Sequence, residues 1–367
     1  APPSSGRWRP TKPPPRLASA GCASADVVVR PAPAHPRRLV YLGTPEVAVP
    51  PLHALHAAGF EIALVVTRAD KKRGRGGGLS PSPVKAAATS LGLPVTTDVD
   101  AVLEAGADLG VVVAFGRIIK PHVLDALAMV NLHFSLLPRW RGAAPVERAI
   151  LAGDVETGVC LMEVSEGLDE GGVYHRESTP IGPDETLDEL RGRLVEMGAS
   201  MVVDVLRRGL GEPTPQEGEV TYADKIDKSE HEIDWTVPAV RVHGTVRIGD
   251  AWTTSRGRRL KVHRTRLGER GDLAPGQVDG VDVGTGEGSI ELVEVQPEGK
   301  PRRAGRDWSH GAQLGADDRL VDVARRAADH VCREFGEGGN PGICGHPEIE
   351  VGLAELGRAL GEPRYTA

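Results

Sequence analysis

Asn131 and His133 stand two residues apart at the end of the apolar run Met129-Val130-Asn131-Leu132-His133. On an extended strand, side chains two apart share a face. The pair would therefore point the same way, at the C-terminal end of a parallel strand, where open α/β sheets bind ligands. An amide offers a donor for a developing oxyanion and an imidazole a tunable base, which together suit acyl transfer. Asp169 lies in the glycine-flanked run Gly167-Leu168-Asp169-Glu170-Gly171-Gly172. A carboxylate there could hold His133 in the required tautomer and raise its basicity. Taken singly, each has a plainer reading: a strand-end Asn and His satisfying backbone groups, and an Asp in an ordinary turn.

Two basic clusters stand out in a chain of net charge −7. One is the glycine-rich run Arg68 to Gly78, with Lys71, Lys72, Arg73 and Arg75; it fits neither a P-loop nor a dinucleotide fingerprint. The other is Arg256, Arg258, Arg259, Lys261, His263, Arg264 and Arg266. The net charge is too small to argue by itself for a nucleic-acid coat or a membrane-surface protein. Positive charge gathered in two places favours a nucleic-acid partner, against the plainer reading of solvated basic edges. Cys22, Cys160, Cys332 and Cys344 form no CxxC pair, so neither a disulfide framework nor a zinc site is expected. No apolar run has the roughly 18 residues of a membrane span.

The elements that must carry these residues alternate between β and α. Leu39 to Leu42, Ile62 to Val66, Gly110 to Ala114 and Met129 to Phe134 read as buried strands, and Pro51 to Ala58 as a helix closed by Gly59. Continuous Val-rich strands between helices predict an α/β fold, a parallel sheet covered on both faces. Thr186-Leu187-Asp188-Glu189 is a capping box opening a helix that places Leu187, Leu190, Leu194 and Met197 on one face and runs to Arg207-Arg208. Residues 210–228 read as a polar connection. After Trp235 the pattern turns β-like, with strands at 258–266 and 289–295, and suggests a small barrel or sandwich. With 40% hydrophobic and only 4% aromatic residues, the core must be aliphatic.

The ends differ from the middle. Residues 1–36 hold nine prolines and a single acid, Asp26, and read as a disordered Pro/Arg-rich leader. Leu320, Ala324, Ala327, Val331 and Phe335, then Ile349, Leu353, Leu356 and Leu360, recur at helical spacing. They predict a helical appendage over 321–367.

The motifs Leu42-Gly43-Thr44-Pro45-Glu46, Leu79 to Lys85, Asn131 to Pro145 and Gly167-Leu168-Asp169 occur in that order. Val220 to Ile226, Ile233-Asp234-Trp235 and Val295 to Lys300 follow. Together, over about 38–320, they resemble the methionyl-tRNA formyltransferases. The resemblance implies a Rossmann-like formyltransferase domain over 37–224 and an OB-like β-barrel tRNA-binding domain over 225–320. It implies transfer of the formyl group of N10-formyltetrahydrofolate, as co-substrate, to the amino group of methionyl-tRNA, without a metal, by a cytoplasmic monomer. Asn131 would then stabilise the oxyanion, His133 take or relay the amine proton, and Asp169 orient His133. Phe115, Gly116 and Ile118, with Ser135, Leu136, Leu137 and Pro138, match the stretches that line the folate pocket. Lys72, Arg73 and Arg75 fall on the loop that reaches the tRNA acceptor end, and Arg258, Arg259 and Lys261 on the tRNA side of the barrel.

The chain departs from the family pattern at Arg247 to Thr254, where a Pro-rich Asn-Pro-x-Pro segment is usual, and at Gly76-Gly77-Gly78, where lysines often sit. Asp322 to Ala367 resembles a fragment of a β-L-arabinofuranosidase-type glycoside hydrolase, too short for a sugar-cleaving site. It is read as a truncated foreign piece. The competing expectation is a folate-dependent formyltransferase for a small amine such as an amino sugar nucleotide. A non-catalytic RNA-binding protein would need the basic clusters but no base.

Overall fold

The computed structural model describes residues 30–72, 79–312 and 319–321. Residues 1–29 of the leader, Arg73 and Arg75 in the basic loop, and the appendage from residue 322 lie outside the described residues. The expected disorder of 1–36 is corrected at its end, where Ala32 packs against the first core and the Ala34 carbonyl accepts from the Leu210 amide at 2.7 Å. The first half of the chain runs β1 (Arg38–Gly43), α1 (Val49–Ala57), β2 (Glu61–Val66), β3 (Lys71–Lys72), β4 (Leu79–Ser80), α2 (Pro83–Ser90), β5 (Val95–Thr96) and β6 (Leu109–Val113). It continues through α3 (Pro121–Ala126), β7 (Met129–His133), β8 (Arg141–Gly142), α4 (Pro145–Ala152), β9 (Glu156–Glu163), β10 (Val173–Pro180), α5 (Leu187–Arg208) and β11 (Tyr222–Ala223). The second half holds α6 (Ala239–Arg247), β12 (Trp252–Ser255), β13 (Arg258–Gly268), β14 (Val278–Asp279), β15 (Asp282–Gly284), β16 (Ser289–Pro297), β17 (Arg303–Ala304), α7 (Gly305–Ala312) and β18 (Leu320–Val321).

The first sheet has the order β10-β9-β7-β6-β1-β2-β5. Its five central and edge strands from β7 to β5 pair in parallel, while β9 and β10 add an antiparallel margin. The apolar runs of β1 and β6 are buried along their whole lengths. This is what a parallel sheet covered on both faces requires. The chain leaves β1 to one side, builds β2 and β5, then returns to β6 on the other. The crevice beyond the C-terminal ends of β1 and β6 is thus a topological switch point, the ligand position of such sheets. Thr44 Oγ1 donates to the Phe115 carbonyl across it, at 3.3 Å.

The predicted capping box forms: the Thr186 hydroxyl accepts from the Glu189 amide and the Glu189 carboxylate from the Thr186 amide. Leu187, Leu190 and Leu194 are buried against the sheet, and Met197 packs at its margin.

The second sheet follows the path β14-β15-β16-β13-β12-β18, with β17 on β16. Here the sequence reading needs two corrections. Ala239–Arg247 is a helix rather than part of a β run. Pro238 precedes it, and Ala239, Val242 and Val246 recur at helical spacing and are buried together in the second core. Leu320 does not open a helix: it pairs with Ser255 in a strand and is 2% exposed. A sheet edge with unfilled hydrogen bonds outweighed the helical spacing that continues beyond it.

Candidate active site

The strand β7 ends on His133, so its side chain and that of Asn131 project together from the C-terminal edge of the sheet. Asp169 approaches them from the turn between β9 and β10. Asn131 Nδ2 donates to Asp169 Oδ1 at 3.4 Å, and His133 Nδ1 lies 3.7 Å from Asp169 Oδ2. The residues singled out by spacing are therefore brought to one place, with the His133 side chain 6% and the Asp169 side chain 16% exposed.

One expected contact is replaced by another. His133 Nε2 sits 2.8 Å from the Trp140 carbonyl. A carbonyl only accepts, so Nε2 carries the proton and Nδ1 of the neutral ring presents its lone pair. The tautomer is thus set by a backbone carbonyl and not by Asp169. At 3.7 Å the Asp169 carboxylate is too far for a short hydrogen bond, but well placed as a counter-charge to a protonated ring.

Two backbone features hold this arrangement. Trp140 has φ +63°, an uncommon conformation for a bulky residue. Its amide donates to Thr221 Oγ1 at 2.9 Å and its indole N–H to Asp154 Oδ2 at 2.7 Å. Gly142 has φ +120°, and its amide donates to Asp169 Oδ2 at 2.8 Å. A Cβ at Gly142 would lie 2.9 Å from the Ala223 carbonyl oxygen, so only glycine lets β8 pair with β11 at this point.

The sequence missed the contribution of the connection between the halves. Thr221, Ala223 and Gln216 all reach back into the site. Gln216 Nε2 donates to the carbonyls of Asp169 and Gly171, each at 2.8 Å. Only the Val220 to Ile226 motif pointed to this stretch; nothing local marks Gln216.

The stretches assigned to a folate pocket divide by exposure. Phe115, buried, and Gly116 and Ile118, exposed, follow β6 at the switch point. Ser135 is fully buried, its hydroxyl donating to the Arg139 carbonyl at 2.6 Å. Leu137 packs with Cys160, Met162 and Val173. Pro138 is buried as well, leaving Leu136 partly accessible. Cys160 lies opposite His133 in the ladder, and burial pushes its thiol up, so it behaves as an apolar core residue.

The basic strand is partly neutralised. Lys261 Nζ lies 3.1 Å from Asp250, Arg264 2.7 Å from Glu189 and Arg258 3.9 Å from Glu298. Arg259 is exposed and stacks over the Trp252 ring at 4.2 Å. Lys72 pairs with Leu79 through its backbone. No group of three or more metal-ligating side chains gathers among the described residues.

Comparison with known proteins agrees with this architecture. The Formyl transferase family matches residues 37–206, and the Formyl transferase C-terminal domain matches 225–313. Neither match reaches the tail that resembled a glycoside hydrolase. The methionyl-tRNA formyltransferase of Jannaschia sp. (strain CCS1) is 44% identical over 296 residues, covering 76% of this chain and 97% of the relative. That of Heliobacterium modesticaldum is 42% identical over 309 residues, covering 76% and 98%. Two solved structures share the fold at low identity. WlaRD, a sugar 3N-formyl transferase, has a TM-score of 0.53 at 17% identity and covers 72% of this chain and 98% of its own. HypX from Aquifex aeolicus, in complex with tetrahydrofolic acid, has a TM-score of 0.52 at 17% identity and covers 77% and 48%. With both halves matched in order and relatives aligned nearly end to end, this chain belongs to the formyl transferases, in the methionyl-tRNA formyltransferase family.

Proposed function

We propose that the protein transfers the formyl group of N10-formyltetrahydrofolate to the amino group of methionyl-tRNA. The observation that carries this reading is the end-to-end similarity to methionyl-tRNA formyltransferases, at 44% identity, across both the catalytic half and the β domain. The site's donor set fits the chemistry. The free amine attacks the formyl carbon, and the carbonyl oxygen becomes an oxyanion. Asn131 Nδ2 has two N–H groups and spends one, weakly, on Asp169; the other is available to that oxyanion. His133 Nδ1 takes the amine proton, and Asp169 stabilises the resulting imidazolium. The bond from the formyl carbon to N10 then breaks, and N10 receives the proton. The switch-point crevice, with Phe115, Gly116 and Ile118 beside it, is the place for the folate; from 135–138 it receives Leu136 and main chain, since Ser135 and Leu137 are spent within the fold.

Residues 37–224 form the catalytic unit in this reading and 225–320 the unit that holds tRNA. Arg259, with Arg258 and Lys261 beside it, offers a cation and a ring to the tRNA; Lys72, Arg73 and Arg75 serve the acceptor end. The protein acts as a monomer in the cytoplasm, where its substrates are. No described helix is long and apolar enough to cross a membrane.

The test is formyl transfer from N10-formyltetrahydrofolate to methionyl-tRNA or to a panel of amino sugar nucleotides, with His133→Ala beside wild type. Wild type is expected to formylate methionyl-tRNA, with kcat reduced roughly 10²- to 10⁴-fold in the variant. Activity confined to the amino sugars would overturn the assignment.

A further inference from the structure

Asp169 stands at φ +50°, left-handed backbone that a non-glycine residue adopts only when its surroundings enforce it. The far end of the turn is tied to β9, where the Gly172 carbonyl accepts from the Glu163 amide at 2.8 Å, but that bond lies three residues beyond Asp169. A grip on the main chain of Asp169 itself comes from 47 residues away. Over residues 214–220 the connection is exposed except for Gln216, which is partly buried. Its Nε2 donates to the carbonyls of Asp169 and Gly171, both at 2.8 Å, and so grips the turn on either side of Glu170. Its Oε1 accepts from Arg141 Nε at 3.1 Å and Nη2 at 2.8 Å. Both donors and both lone pairs of the amide are thereby used. Arg141 adjoins Gly142, whose amide donates to the Asp169 carboxylate. The main chain and the carboxylate of Asp169 are thus both referenced to β8.

We propose that Gln216 is a positioning residue for the transfer reaction: its amide fixes the turn that aims the Asp169 carboxylate at Asn131 and His133. The residue type is demanding. Glutamate would keep the acceptor for Arg141 but set a carboxylate against two carbonyl oxygens. Asparagine is one methylene short of spanning from the connection to the turn.

The kinetic half of the test rests on the proposed reaction; the spectroscopic half does not. Gln216→Glu and Gln216→Ala are expected to lower kcat about 10- to 100-fold, the cost of a slight misplacement, with KM for both substrates little changed. Asn131 Nδ2 donates to Asp169 Oδ1, so the Asn131 side-chain amide resonance, assigned by its loss in Asn131→Asp, should move in both variants toward its position in Asp169→Asn. In an Asp169→Asn background, Gln216→Glu should add almost nothing to the loss of kcat. Wild-type kcat with an unmoved Asn131 amide resonance would overturn the proposal, as would an equal loss in the Asp169→Asn background. If wild type formylates no methionyl-tRNA, the functional reading fails, and the Asn131 amide resonance still decides the role of Gln216.

Discussion

In the proposed reaction, two nearby acceptors would divide the work of preparing His133. The Trp140 carbonyl fixes which nitrogen is protonated, and Asp169 supplies charge 3.7 Å from the other. Asp169→Asn keeps the volume and leaves an oxygen for the Gly142 amide, but removes the counter-charge. We expect kcat to fall by roughly two to four orders of magnitude, as loss of the charged member does in triads, with folding intact. Rates measured under single turnover would check it. The pairing of Asn131 with His133 was legible because strand periodicity alone puts them on one face. The Trp140 carbonyl was not: a main-chain oxygen aimed by a left-handed residue leaves no trace in side-chain pattern.

At the level of elements, local signals were read well where they were self-contained. The Thr186–Glu189 box closes within four residues, and it formed as read. Thr186→Ala should lower the unfolding free energy by about 1 kcal/mol, measured by urea denaturation, by freeing amides at the start of α5. Reading failed where tertiary partners decide. The apolar residues of Ala239–Arg247 suit a strand or a helix, and packing into the second core selects the helix. The pairing of Tyr222–Ala223 with Arg141–Gly142 joins segments some 80 residues apart, which no local pattern announces.

Across the whole molecule the two halves meet through charged and polar contacts. Arg148 holds Glu230 at 2.6 Å, and Arg264 holds Glu189 at 2.7 Å. Arg247 donates to the Glu185 carbonyl at 2.7 Å and Arg241 to the Leu151 carbonyl at 2.8 Å. His243, 4% exposed, lies 3.0 Å from the Pro183 carbonyl and 2.8 Å from the Thr265 hydroxyl. Burial holds its imidazole below the ordinary 6.5, assisted by Arg247 and opposed by the Pro183 carbonyl and Asp184. The unfolded chain therefore binds a proton that the folded chain does not. This contribution is complete above about pH 6.5 and is lost as the pH falls below it. Glu189 behaves as a depressed acid: the Thr186 amide and then Arg264 pull its carboxyl down to about 2. Its contribution is present above the ordinary 4.5 and is lost as the pH falls from there through about 2. Urea unfolding at pH 7.5 and 5.5 should show wild type losing stability between the two, and His243→Asn losing less.

The connection that supplies Gln216, Thr221 and Ala223 has an evolutionary consequence. The Formyl transferase family match stops at residue 206, short of the connection that reaches back into the candidate site. Exchange of halves between relatives by recombination near that point would graft a foreign clasp onto the turn that bears Asp169. Viable hybrids should therefore carry their junction downstream of Ala223, and the lineage should inherit the clasp with the half it serves.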